Sequence, residues 1–299
     1  MRALLPLLLL GVVACDGKTD ETDETDMTDE TDMTDTGDTT DTTDTTEEPV
    51  CFDLSGVAIF ADTNLPVPEG LCAQLLDPTP IALGGTEFYV LQETTIGAAG
   101  AYSFTNIDIK PDLGMLVNID DCDDATGDPV VGISSNTGVL PGSYAEATGS
   151  CEEAGTRDTV TATSFVISPA LLAGMQASLD AIPGNEDDLA TDGFVFGFAF
   201  STLDPAPTPA GGVTVTCKSC GGEPPANPTY YLDADAVDGL FTTGADVNAS
   251  TDVNTGVWMV PGGPVSQYSA TDTGGTLTFA PQLVGSAEGS AVITAFIAE

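Results

Sequence analysis

Past residue 50, apolar and polar residues alternate in short runs interrupted by Gly, Pro and Asp. Alternation with period two marks strands with one buried face. A first series of strands is expected at 54–60, 71–76, 88–93, 101–104 and 115–119. A second is expected at 194–200, 213–217, 229–232, 257–260, 276–279 and 291–297. The alternation is clearest at Tyr102/Phe104, at Trp258/Val260 and at Phe194/Phe196/Phe198/Phe200. One stretch between the series has helical spacing instead, with Leu171, Leu172, Met175 and Leu179 on one stripe. Ser168 suits its N-cap, Pro169 its first turn, and Pro183-Gly184 its end. A helix over 168–182 packed on a sheet or between domains follows.

The two strand series look like copies of one unit. Gly56-Val57-Ala58-Ile59 matches Gly197-Phe198-Ala199-Phe200, and Gly70-Leu71-Cys72-Ala73 matches Gly212-Val213-Thr214-Val215. Gly100-Ala101-Tyr102-Ser103-Phe104 matches Gly256-Val257-Trp258-Met259-Val260, and a Pro-containing turn joins the first two strands of each copy. The order of a first strand, a turn, a second strand and then Gly-x-Tyr-x-Phe resembles the carboxypeptidase regulatory-like domain. That domain is related to the transthyretin-like and CnaB-type β-sandwiches. Gly100 to Ile107 carry the best match; the second copy departs from it at Trp258 and Val260. The resemblance implies an all-β protein of two Ig/transthyretin-like β-sandwich modules, with Tyr102, Phe104 and Trp258 in their cores. It implies no peptidase activity, because the family's module is an accessory without zinc ligands. CnaB relatives form Lys–Asn isopeptide bonds, but Lys110 and Lys218 lie outside first strands, so none is expected here.

The N-terminal region is patterned differently. Arg2 precedes an apolar run, Leu4 to Val13, which is shorter than the roughly 20 residues that span a bilayer. Val12-Val13-Ala14-Cys15 then resembles the lipobox of bacterial lipoprotein signal peptides, which implies cleavage before Cys15 and lipidation of its thiol. Residues 16–48 repeat Thr, Asp and Glu, with almost no apolar side chains to bury. Such a segment is expected to stay disordered and extended. The expected organisation is therefore a signal peptide at 1–14, a lipidated linker at 15–50, module 1 at 51–150, a connector with the helix at 151–190, and module 2 at 191–299.

Charge narrows the chemistry. The chain has 47 Asp and Glu against five Lys and Arg, a net charge of −42, and no histidine. Fifteen of the acidic residues lie in 16–48, which leaves 32 in the folded part beside Lys110, Arg157 and Lys218. Nucleic acid is excluded as a partner, since its phosphates need basic surface. Without histidine the usual serine triad and the commonest metal ligand are missing. Once Cys15 is lipidated, Cys51, Cys72, Cys122, Cys151, Cys217 and Cys220 remain, an even set that suits disulfides in an exported chain. Cys217–Cys220 is expected to close a local loop; Cys122–Cys151 and Cys51–Cys72 are expected to follow.

Two acidic clusters invite Ca²⁺. Asp233, Asp235 and Asp238 approach an Asp-x-Asp-x-Asp-Gly loop but carry one inserted residue and no Glu at the twelfth position. The second cluster runs from Asp120 to Asp128. The sequence thus points to a non-catalytic envelope module that binds a protein or glycan or builds the envelope. A Ca²⁺-dependent adhesion module is the alternative, and a carboxylate-dependent hydrolase a third.

Overall fold

A computed structural model describes residues 50–85, 87–122, 129–139, 141–152, 157–202, 207–218, 229–232 and 250–299. The strands in module 1 are β1 (Phe52–Phe60), β2 (Cys72–Asp77), β3 (Tyr89–Thr95), β4 (Ala101–Ile107), β5 (Met115–Asp120), β6 (Ser134–Val139) and β7 (Asp158–Val166). Those that follow are β8 (Phe194–Thr202), β9 (Thr208–Pro209), β10 (Val213–Cys217), β11 (Tyr230–Tyr231), β12 (Val257–Pro261), β13 (Ser266–Asp272), β14 (Gln282–Val284) and β15 (Ser290–Ile297). Four α-helices, α1 (Thr79–Ala82), α2 (Pro141–Tyr144), α3 (Pro169–Asp180) and α4 (Leu189–Asp192), and a 3₁₀ turn at Ala98–Gly100 complete the described elements. The chain is mainly β, as the alternation predicts.

Each copy is a sandwich with the same wiring. In the first, β1 pairs antiparallel with β4 and parallel with β7, so the module's first strand lies between its Gly-x-aromatic strand and its last strand. The facing sheet is β3-β2-β5-β6. Between them lie Phe52, Leu54, Tyr102, Phe104 and Val160 from one sheet and Leu75, Met115, Val117 and Ile119 from the other. In the second, β8 pairs antiparallel with β12 and parallel with β15, facing β10-β13-β14. Val195, Trp258, Val292 and Phe296 meet Val215, Tyr268 and Val284 there.

The matched sequence runs occupy matched places. Gly56 lies opposite Tyr102 and Gly197 opposite Trp258. Ile59 bridges Pro66 where Phe200 pairs with Pro209. Gly100 and Gly256 both hold positive φ, and a Cβ on either would lie 2.4 Å from the carbonyl oxygen of the matched residue, Ala58 or Ala199. Only glycine fits that backbone approach.

The structure differs from the sequence expectation in three respects. The stretch 151–190 contains β7, a full strand of the first sandwich, in which Thr159 and Thr161 alternate with Val160 and Ala162. Threonine on the outer face hid the period. Strands β6, β13 and β14 were also unanticipated, because Ser, Thr, Asn and Gln fill many of their positions. Residues 276–279, expected as a strand, contribute only the bridge of Phe279 to Ala298. The third difference concerns cysteine: the pairs are Cys51–Cys151 and Cys72–Cys122, not Cys122–Cys151 and Cys51–Cys72. Strand pairing is the reason. Cys51 precedes Phe52, whose partner across the β1–β7 ladder is Asp158, and Cys72 opens β2 opposite Asp120, two residues before Cys122. Cys217 is also disulfide-bonded; Cys220 lies outside the described residues.

The modules are joined by a strand pair. β15 bonds β8 on one side and, in parallel, β6 of module 1 on the other, from Ser290↔Ser134 to Ile293↔Thr137. One sheet therefore runs β11-β12-β8-β15-β6-β5-β2-β3 through both sandwiches. Residues opposite one another share a face. Ser135 faces the first core side while its partner Ala291 packs with α3, and Val292 of the second core lies beside Asn136. The two smaller sheets thus cover opposite faces of the shared sheet. Helix α3 forms where its spacing predicts: Ser168 Oγ accepts from Leu171 N at 3.0 Å, and Leu171, Met175 and Leu179 are buried against Phe194, Phe196 and Ile293.

Candidate functional site

The aromatic positions come first, since an exposed aromatic at a strand end can serve a ligand. Tyr102, Phe104 and Trp258 are instead core residues, each under 5 % exposed. Tyr102 lies over Gly56, where a Cβ would meet its ring at 2.2 Å, and its hydroxyl pairs with Ser164 Oγ at 2.8 Å. Burial pushes the Tyr102 phenol up, while the Ser164 hydrogen bond pulls it the other way. Trp258 lies over Gly197, where a Cβ would meet its ring at 2.1 Å, and packs at 5.6 Å from Phe296 and 6.0 Å from Tyr268. A glycine is thus required beneath each ring by close approach alone.

Several of the described carboxylates accept from backbone N–H groups. Asp121 Oδ2 accepts from Val130 N at 3.2 Å and Val131 N at 3.3 Å. Asp188 caps α4 by accepting from Ala190 N and Thr191 N. Asp272 accepts from Gly274 N, Thr276 N and Leu277 N, and these bonds hold its pKa down at about 2. Asp187 moves the other way, raised by burial and then by Asp192. Among the described residues no three of Cys, Asp and Glu are placed to hold a metal ion. Asp233, Asp235 and Asp238 lie outside the described residues, as do Asp123, Asp124, Asp128 and Cys15.

Two of the described cations have local partners. Arg157 approaches Asp53 at 3.8 Å in a part-exposed pair, a contact worth about 0–1 kcal/mol. Its guanidinium also donates to Cys151 O, beside the first disulfide. Lys110 Nζ donates to Ala145 O at 2.9 Å.

The feature that sequence reading missed is the seam between modules. Asn118 Nδ2 donates to Ser134 Oγ at 2.6 Å and to Asn136 Oδ1 at 3.1 Å, and Asn136 Nδ2 reaches Ala291 O at 3.3 Å. Asn136 is 1 % exposed, so this chain of amides is sealed inside the seam. A buried polar group needs such partners, and its bonds specify one register. The signal in the sequence is Ser134-Ser-Asn-Thr137, four polar residues in a row, which a period-two reading passes over.

No protein-family model and no curated protein matches the chain. Among solved structures it is similar to the shaft pilin SpaA from Lactobacillus rhamnosus GG, at 7 % identity and TM-score 0.23, over 83 % of this chain and 97 % of that one. The Bacillus anthracis TIE protein is similar at 9 % identity and TM-score 0.21, over 83 % of this chain and 34 % of that one. A streptococcal ancillary pilin is similar at 10 % identity and TM-score 0.22, over 84 % of this chain and 63 % of that one.

Proposed function

We propose that the chain is a non-catalytic module of the bacterial cell envelope, anchored by lipid on Cys15 and held off the membrane by the acidic stretch 16–48. The paired sandwiches then form a stiff body that meets a protein or glycan partner, or builds the envelope itself. The observation that carries this reading is the disulfide set. Cys51–Cys151 and Cys72–Cys122 tie the ends of core strands together, and such bonds persist in oxidising, exported settings. Asp121 and Asp272 support a non-catalytic role, since each is engaged by backbone N–H groups of its own turn. The test is metabolic labelling with palmitate followed by membrane fractionation. Label on the parent chain, with Cys15→Ala unlabelled and released, is the expected result. Equal membrane retention of Cys15→Ala would sink the anchor.

A further inference from the structure

Cys51 is the last residue before β1, and its partner Cys151 stands shortly before β7, the last strand of the same module. The two are 100 residues apart in sequence. Strands β1 to β6 and the whole of the second disulfide lie in the loop between them.

A pull on the chain ahead of residue 51 therefore has a covalent route that skips this loop. It crosses the sulfurs to Cys151 and continues into β7. That strand is already close to its greatest length, since a strand rises about 3.3 Å per residue and a fully drawn chain at most about 3.6 Å. β1 and β7 run parallel and in register, from Phe52↔Asp158 to Phe60↔Val166, and both start at the bonded end. Tension along β7 thus does not drag one strand past the other.

Module 1 also grips the far end of β7. Ala61 N donates to Val166 O at 2.9 Å and Gly132 N to Ile167 O at 2.8 Å. Ile167 N donates to Ser135 Oγ at 3.0 Å, and Ser168 Oγ to Asp62 Oδ2 at 2.8 Å. The other end of the chain is held without a covalent tie. β15 is laddered to β8 and β6, and no cysteine follows Cys220 to retain it. A pull at the C-terminus strips β15, which opens the second sandwich and the seam together.

We infer that module 1 is an inextensible coupler, through which tension passes between the N-terminal stretch and module 2 while β1 to β6 stay off its path. This rests on the reading that the chain hangs from its N-terminal stretch. Tension enters at Cys51, crosses to Cys151, runs along β7 and leaves past Ser168. Module 2 is the part that lengthens, beginning at β15.

The test is single-molecule pulling on the full chain, with handles at its two ends, with and without dithiothreitol. In oxidised chains the length gained in unfolding events should match residues 169–299 alone, at about 3.6 Å per residue. Dithiothreitol should nearly double that gain, because β1 to β6 then come into series. Cys51→Ser with Cys151→Ser should add residues 52–168 apart from the loop that Cys72–Cys122 still closes. The dithiothreitol arm decides the matter if that variant does not fold. Cys72→Ser with Cys122→Ser should leave the oxidised gain unchanged, because that bond lies inside the skipped loop. A longer gain from oxidised chains, equal gains with and without dithiothreitol, or a change on losing Cys72–Cys122 would each overturn the inference. None of these lengths depends on lipid at Cys15, so the anchor can fail without moving them.

Discussion

The two sandwiches share their wiring yet close their cores by different means. In module 1 the aromatic over the first-strand glycine is Tyr102, tied by its hydroxyl to Ser164 on the last strand, and two disulfides bind the strand ends. In module 2 the same places hold Trp258 and Phe296, joined by Tyr268 and Phe279 into an aromatic cluster. Trp258 Nε1 is buried with no acceptor among the described residues. The difference separates what the wiring demands from what it tolerates. It demands a glycine beneath a large ring. It tolerates either a hydrogen bond or ring packing as the tie to the last strand.

Reduction should break the comparison most strongly. Losing a native disulfide typically costs about 2–5 kcal/mol. Cys51→Ser with Cys151→Ser should lower stability by that order and raise hydrogen exchange in β1 and β7, leaving β8 and β12 protected. Exchange rising equally in both modules would show that the shared sheet makes them one cooperative unit. Next come the glycines. Gly56→Ala and Gly197→Ala each drive a Cβ into a ring at 2.2 or 2.1 Å, an overpacking cost of about 1–3 kcal/mol by denaturant titration. Gly56→Ala should cost more, since Ala162 O at 2.6 Å is backbone and cannot swing away.

The tie to the last strand sharpens the comparison further. Tyr102→Phe strands the Ser164 hydroxyl in the core and should cost about 1–3 kcal/mol, whereas the double variant with Ser164→Ala should recover part of that loss. A double-mutant cycle with no coupling would remove the hydrogen bond from the account. The smallest effect belongs to Asp272 in the turn after β13. Its folded pKa lies below its ordinary value of 3.8, at about 2. Its contribution is then present above about pH 4 and fades as pH falls toward 2. Asp272→Asn should flatten that part of the stability profile, measured by thermal melts from pH 5 to 2.

Much of this is legible in the sequence. The helix at Ser168 and Pro169, the alternating strands with large inward side chains, and the paired glycines of the two copies all follow from local chemistry. Strands made of Thr, Ser and Asn escaped notice because their burial comes from neighbours and not from their own hydrophobicity. β6 is the clearest case: Ser135, Asn136 and Thr137 are buried only because β7, β15 and the Asn118 amide surround them.

By itself the sequence determined the all-β character and the twofold repeat, because period-two burial acts within a strand. Tertiary structure decided the disulfide partners, the membership of β7 in the first sandwich and the seam between modules. These depend on which strands lie side by side, through contacts such as Cys51 to Cys151 and Asn136 to Ala291 that are distant in sequence. A polar side chain does not say in advance which distant backbone group will satisfy it; the sheet that brings the two together does.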